Sequence, residues 1–141
     1  WNQEESTNQV IKDGWLFTGD LGYIDEDGYI FLSGRVKDFI KRGGEMISPE
    51  EVERVLESYT SIDEAAIIGI PDMDWGERVR AIVTLKQNHE FNELDIIEFC
   101  RTKLASFKKP ESVVVVGELP RNSLGKVLKN TLRDKYSYPI E

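Results

Sequence analysis

The run Ala65-Ala66-Ile67-Ile68-Gly69-Ile70 carries no charge and stops at Pro71-Asp72, so it fits a strand buried inside a sheet. A second strand is expected close behind it. Val79, Ala81, Val83 and Leu85 alternate with polar neighbours at first, which predicts one inward face. Paired strands must be covered, and two amphipathic helices are written around them. The first has Ser48 as N-cap, Pro49 at its first position and Glu51 completing a capping box, with Val52, Val55, Leu56 and Tyr59 as its apolar face. The second is capped by Asn92 and Asp95, with Leu94, Ile97, Phe99, Cys100 and Leu104 as its predicted buried stripe. Pro110 precedes a further strand at 113–116, and a short basic helix over about 129–135 closes the chain.

Upstream, the first third reads as β structure. Tyr23-Ile24 and Tyr29-Ile30-Phe31-Leu32 flank Asp25-Glu26-Asp27-Gly28, a hairpin signal whose glycine suits positive φ. Asp-x-Asp-Gly lacks both the spacing and the closing Glu of an EF-hand, so it reads as a turn. Residues 39–42 and 45–48 flank Gly43-Gly44, which predicts a second tight hairpin. The expected class is α+β: a small compact domain with a central sheet of about three strands flanked by helices, plus β-hairpins on its N-terminal side. The glycine fingerprint and regular βαβ alternation of a dinucleotide fold are missing. Residues 1–36 are too few for a domain of their own and read as the trailing edge of something larger. The opening Trp1-Asn2-Gln3 has no Met, which is expected of a fragment boundary.

Several chemistries are excluded by composition. The chain has 141 residues, 40% hydrophobic and 31% charged, and contains no apolar run near the length of a membrane span. Its start has neither the basic flank nor the apolar stretch of a signal peptide. One cysteine, Cys100, and one histidine, His89, cannot make a usual zinc site or a Ser-His-Asp triad. Cys100 reads as a small buried hydrophobe, and a cytoplasmic location is expected. A net charge of −8 argues against general affinity for nucleic acid or anionic lipid. Yet Arg35, Lys37, Lys41 and Arg42 crowd together, as do Lys126, Lys129 and Arg133. Such clusters are either solvated faces or places where a small anion sits.

Three segments carry candidate chemistry. Alone, Asp20 in Thr18-Gly19-Asp20 reads as a turn residue; functionally, its carboxylate suits a pair of sugar hydroxyls. Arg35, Lys37, Gly43 and Gly44 read either as a charged surface loop or as a connector followed by backbone that a narrow ligand can approach. Pro120-Arg121-Asn122-Ser123-Leu124-Gly125-Lys126 is not a P-loop, since Val127 stands where Ser or Thr is needed. Its lysine is either solvent-facing or delivered to an anionic transition state.

Taken in order, these pieces resemble the superfamily of acyl-CoA synthetases, nonribosomal peptide adenylation domains and beetle luciferases. The matching residues include Trp15-Leu16-Phe17-Thr18-Gly19-Asp20, Gly34-Arg35-Val36-Lys37-Asp38, Lys41 with Gly43-Gly44-Glu45, Phe107-Lys108-Lys109-Pro110, and Pro120-Arg121-Asn122 with Gly125-Lys126. The resemblance runs from about residue 14 to 135. Leu124 departs from the family's usual Ser or Thr two places before the final lysine. The resemblance implies a two-step reaction. A carboxylic acid attacks the α-phosphate of ATP to give acyl-AMP and pyrophosphate, and the thiol of CoA then displaces AMP. Residues 1–36 become the end of a large N-terminal adenylation domain, and residues 37–141 the C-terminal lid that rotates between the steps. Carried over by position, Asp20 holds the ribose hydroxyls and Arg35 supports the ribose and phosphate region. Lys37 is the hinge. Lys126 serves adenylation, while Lys41 and the Gly43-Gly44 backbone serve the thiol step. One such donor to developing charge contributes about 3–4 kcal/mol.

The phosphate loop, adenine site, Mg2+-binding Glu and acyl pocket implied by the family belong to the large domain, so the chain alone is expected to be inert. Two alternatives stand beside this reading: a ligase that loads an acyl carrier protein, and a non-catalytic α+β interaction module. Which acid is activated is written elsewhere.

Overall fold

The computed structural model describes residues 2–139. It divides into two compact units, Trp1–Lys37 and Asp38–Glu141. The second unit is built on one long antiparallel pair, β7 (Ile62–Asp72) and β8 (Gly76–Leu85). β9 (Ser112–Val115) runs parallel to β8, with Arg80 to Val83 facing Ser112 to Val115. The hairpin of β5 (Ile40–Arg42) and β6 (Glu45–Ile47) joins the same sheet where Arg42 pairs with Gly76. The class is α+β, as the sequence predicts. The sheet has five strands rather than about three, because that single pairing adds the glycine hairpin to the expected core.

Helices cover both faces of this sheet. α2 (Pro49–Glu57) and α3 (Glu93–Lys103) bury Val52, Leu56, Ile96 and Cys100 against Ala65, Ile67, Val79, Ala81 and Val83. α4 (Lys129–Tyr136) presses Leu132 onto Ala66, Ile68, Ile70 and Ile82 on the other side, beside Leu119. The uninterrupted apolar run of β7 follows directly, since alternate residues enter different cores. β8 departs from its predicted single inward face. Its polar-looking positions Arg80 and Thr84 are buried as well.

Arg80 is 2% exposed, and its charge is met by neutral acceptors. Its Nε donates to Ser112 Oγ at 2.8 Å, and its Nη1 donates to the carbonyls of Tyr136 at 2.7 Å and Tyr138 at 2.9 Å. The guanidinium also lies 4.3 Å from the Tyr138 ring centroid. Burial lowers its pKa, against the upward pull of Tyr138 and Glu93. Arg80 therefore straps the chain beyond α4 to the sheet.

Local expectations hold unevenly. Asn92 caps α3, accepting from the N–H groups of Leu94 and Asp95. The α3 stripe is rotated, however: Leu94 is 76% exposed and Ile96 takes the buried place. The Ser48 side chain makes no cap bond to the first turn of α2; it donates to Glu50, and Glu51 also accepts from Lys108 at 2.7 Å. In the first unit, residues expected to be β begin with helix α1 (Glu4–Val10), followed by the hairpins β1–β2 (Ile11–Lys12, Trp15–Leu16) and β3–β4 (Asp20–Ile24, Ile30–Arg35). None of its described residues is buried, and Trp15, Phe17, Tyr23, Tyr29 and Ile30 are all exposed.

Two outcomes are expected of the chain itself. Arg80→Ala should destabilise it by about 3 kcal/mol in urea unfolding, at about 1 kcal/mol for each buried hydrogen bond lost, with Arg80→Lys recovering only part. Cys100 is fully buried, and burial pushes its thiol up to about 11. Its folded pKa lies above the ordinary value, so the stabilising neutral form is complete below about pH 9 and is lost as pH rises toward 11. A thiol reagent at pH 8 should leave native Cys100 unmodified and react fully after unfolding.

Candidate functional site

The candidate residues fall into three small constructions. In the first unit, β3 and β4 are closed by Asp25, whose carboxylate accepts the N–H groups of Asp27 at 3.0 Å and Tyr29 at 2.8 Å. At the open end of this hairpin Asp20 faces Arg35, and Arg35 Nε lies 2.9 Å from Asp20 Oδ1. The turn role is taken by Thr18, whose Oγ1 accepts the Asp20 N–H at 3.1 Å. The Asp20 carboxylate is thus oriented by a cation from the neighbouring strand. A carboxylate accepts up to about four hydrogen bonds, so it keeps capacity for hydroxyl donors.

The second construction is the β5–β6 hairpin. Gly43 (φ +56) and Gly44 (φ +88) both occupy the left-handed region that a two-residue turn of this hand demands. A Cβ at Gly43 would lie 2.9 Å from a carbon of the Trp75 ring, whereas at Gly44 it would meet nothing. The hairpin is fastened to β8 and the turn before it. Gly43 N–H donates to the Trp75 carbonyl at 2.8 Å, and Lys41 N–H donates to the Glu77 carboxylate at 2.7 Å. Arg42 bonds the Phe107 carbonyl at 3.0 Å, pairs with Glu111 and sits 5.5 Å from the Trp75 ring centroid. Strand alternation sends the exposed Lys41 the other way.

The third is the loop of residues 120–128. Its ends close through a bridge between Arg121 and Val127 and a 2.7 Å bond from Leu128 N–H to the Pro120 carbonyl. The Asn122 side-chain oxygen accepts from Leu124 N–H at 3.0 Å and Lys126 N–H at 2.9 Å. Lys126 is exposed, and Leu124 at the tip is 90% exposed.

The two basic clusters separate into structural and free members. Arg35 pairs with Asp20, Arg42 with Glu111, Lys129 with Glu53 at 2.7 Å and Arg133 with Asp38 at 3.3 Å. Burial pushes the Glu53 carboxyl up while Lys129 pulls it back. Among the described residues, no carboxylate pairs with the ammonium of Lys37, Lys41 or Lys126. The structure joins Asp20 to Arg35 and keeps Lys41 and Lys126 apart. Lys41 lies beyond β8, at its Gly76 end. Residues 120–128 are held at Glu64 of β7, opposite Thr84. Eight residues of strand between these ends span about 27 Å at ~3.4 Å per residue. Lys37 is exposed in a 3-10 turn, Val36–Asp38, and the division into two units falls just after it.

Trp75, Glu77, Glu111 and Glu64 escape a reading of the sequence. The Asp72-x-Asp-Trp-Gly turn signal was present, but nothing local announces that its ring will meet Gly43. Among the described residues no cluster of carboxylates, His and Cys could hold a metal ion, and no helix is long and apolar enough to cross a membrane.

Residues 51–126, from α2 to Lys126, match the family described as the AMP-binding enzyme C-terminal domain. Long-chain-fatty-acid–CoA ligase FadD13 of Mycobacterium tuberculosis is 44% identical over 140 residues, 99% of this chain and 28% of that protein. Fatty acid–[acyl-carrier-protein] ligase ScoC of Streptomyces coeruleorubidus is 41% identical over 136 residues, 96% of this chain and 26% of its own length. ATP-bound MatB from Rhodopseudomonas palustris superposes with a TM-score of 0.90 at 38% identity, covering 97% of this chain and 27% of that one. The chain spans about a quarter of the length of these relatives. It belongs to the AMP-binding enzyme C-terminal domain family, carried here with the hairpins that precede it.

Proposed function

We propose that this chain is the mobile C-terminal portion of an AMP-forming acid–thiol ligase, presenting Lys126 for adenylation and the Lys41–Gly44 hairpin for thioester formation. The observation that carries the reading is the separation of these two groups. Two elements about 27 Å apart on one rigid sheet cannot reach a single reacting centre in one orientation. They can do so in turn, if the unit swings about Lys37. The division of the chain into two compact units just after that residue supports a hinge there.

In this reading residues 1–36 end a large N-terminal domain and residues 37–141 form the lid. The exposed aromatic surface of the first unit is covered by the large domain, as an apolar patch of that kind requires. Asp20, oriented by Arg35, accepts from the two ribose hydroxyls of ATP. Lys126 donates to the charge that develops as the carboxylic acid attacks the α-phosphate, and it departs with its loop before the thiol enters. Lys41 and the Gly43-Gly44 backbone then line the path of CoA, where the absence of a side chain at Gly44 leaves room for a narrow chain. Among the described residues no cluster of side chains could hold a metal ion, and we assign Mg2+ to the large domain along with the acyl pocket. By itself the chain is inert.

A second acceptor is supported by the likeness to ScoC, a ligase that acts on an acyl carrier protein. Comparing CoA with a holo carrier protein as acceptor for the full-length ligase decides between them.

Lys126→Ala in the full-length ligase should lower ATP–pyrophosphate exchange by about 10²–10³-fold while thioester formation from supplied acyl-AMP is largely kept. Undiminished exchange refutes the role given to Lys126. Asp20→Ala should raise the KM for ATP about ten- to hundredfold, as expected for lost hydrogen bonds to a charged acceptor. An unchanged KM would remove Asp20 from the nucleotide site.

A further inference from the structure

We propose that Arg121 and Glu64 form a positioning pair that aims Lys126, an inference that rests on the adenylation role given to that lysine. The peptide unit between Gly125 and Lys126 is gripped on both sides. Its carbonyl accepts from Arg121 Nη1 at 2.6 Å, and its N–H donates to Asn122 Oδ1 at 2.9 Å. The following carbonyl, that of Lys126 itself, accepts from Asn122 N–H at 2.9 Å. Gly125 (φ +81) supplies the left-handed residue that lets this peptide turn back on Asn122.

These bonds stiffen the loop internally, and Leu119 and Val127 anchor its ends to the core under α4, but none of them ties the peptide of Lys126 to the sheet. Arg121 does that. Its second nitrogen, Nη2, pairs with the carboxylate of Glu64 on β7, so one planar guanidinium ties the lysine-bearing peptide to the central sheet. Glu64 sits where the β7–β8 register shifts, and its N–H donates to Thr84 Oγ1 at 3.1 Å. Such a bulge re-aims a side chain at a strand edge. The pair is only partly buried, so its value for stability is small. Its value for geometry is not: an acting side chain has to be held within about 0.5 Å, and a misplacement of about 1 Å can cost ~10²-fold in rate. A lysine cannot replace Arg121 here, because an ammonium lacks the fixed fork that spans both acceptors.

The test uses Arg121→Ala, Arg121→Lys and Glu64→Gln in the full-length ligase, with Lys126→Ala in the same assays. The kcat of ATP–pyrophosphate exchange should fall about 10–100-fold in Arg121→Ala, with the KM for ATP within about twofold and thioester formation from supplied acyl-AMP unchanged. Arg121→Lys and Glu64→Gln should lie between. The Arg121→Ala/Lys126→Ala double variant should be no slower than Lys126→Ala, since a residue acting through another has no separate effect to lose. In the isolated chain, the Lys126 amide should exchange with solvent about tenfold faster in Arg121→Ala, a direct readout of the loosened peptide. Exchange kcat within twofold of the parent, or an equal fall in both half-reactions, overturns the inference. If Lys126→Ala abolishes exchange while Arg121→Ala does not, the pair alone fails. If Lys126→Ala is itself silent, the adenylation reading fails first and takes the pair with it.

Discussion

The β7–β8 ladder is the constraint from which the rest of the domain hangs. Among the described residues it is the only pair of strands long enough to carry two cores, one under α2 and α3 and the other under α4. Burial on both faces makes its position insensitive to what happens at either end. Each end carries one candidate group: the glycine hairpin beside Gly76, and the loop of Lys126 beside Glu64. Their separation is therefore a property of strand length, not of loop conformation. A domain proposed to offer two faces in turn needs such a stiff bar between them.

Acidic residues supply most of the tethers. The chain's net charge of −8 tells against a nucleic-acid partner, but the excess carboxylates are also put to structural use. Glu53 holds Lys129, Asp38 holds Arg133, Glu111 holds Arg42 and Glu51 holds Lys108. Most of these side chains are largely shielded from water, so the cost of removing their charges from solvent offsets much of the attraction within each pair. Their effect is to sort the basic clusters, removing cations that would otherwise compete for an incoming phosphate. What remains in those clusters without a carboxylate partner is Lys37, Lys41 and Lys126, the residues to which the proposed hinge and reaction steps fall.

What could be read in the sequence was whatever is decided locally. The Gly43-Gly44 turn, the Asp25 turn, the Asn92 cap and the buried run of β7 all depend on neighbours in the chain, and all appear as expected. Failures arise where a distant group outbids a local one. Glu51, expected to serve only the first turn of α2, accepts from Lys108, a residue far along the chain. Ile96 displaces Leu94 from the core because the facing sheet, not helical periodicity alone, sets the angle of α3. Arg80 defies any polarity pattern, since its partners are backbone carbonyls near the C-terminus. The candidate lysines were legible only through their order along the chain; Trp75, Glu77, Glu111 and Glu64, which fasten their hairpin and loop, were not, because each lies far from its partner in sequence.

The Asp20–Arg35 pair marks how far this chain goes toward a site and where it stops. Cross-strand register places the two side chains together without help from a nucleotide. An acceptor oriented in advance loses less freedom on binding than one that must be gathered up by its ligand. The hairpin that carries it has no buried residue among those described, and an isolated two-stranded hairpin is at best marginally stable in water. The orientation of Asp20 is thus prepared by this chain, but its rigidity must be lent by whatever covers the exposed ring of Tyr23 and the side chain of Ile30. On the proposed reading that cover is the large domain, so the ribose contact and the packing of the first unit are one event. The second unit, with two cores of its own, needs no such support, and on the proposed reading this difference lets one part stay fixed while the other turns.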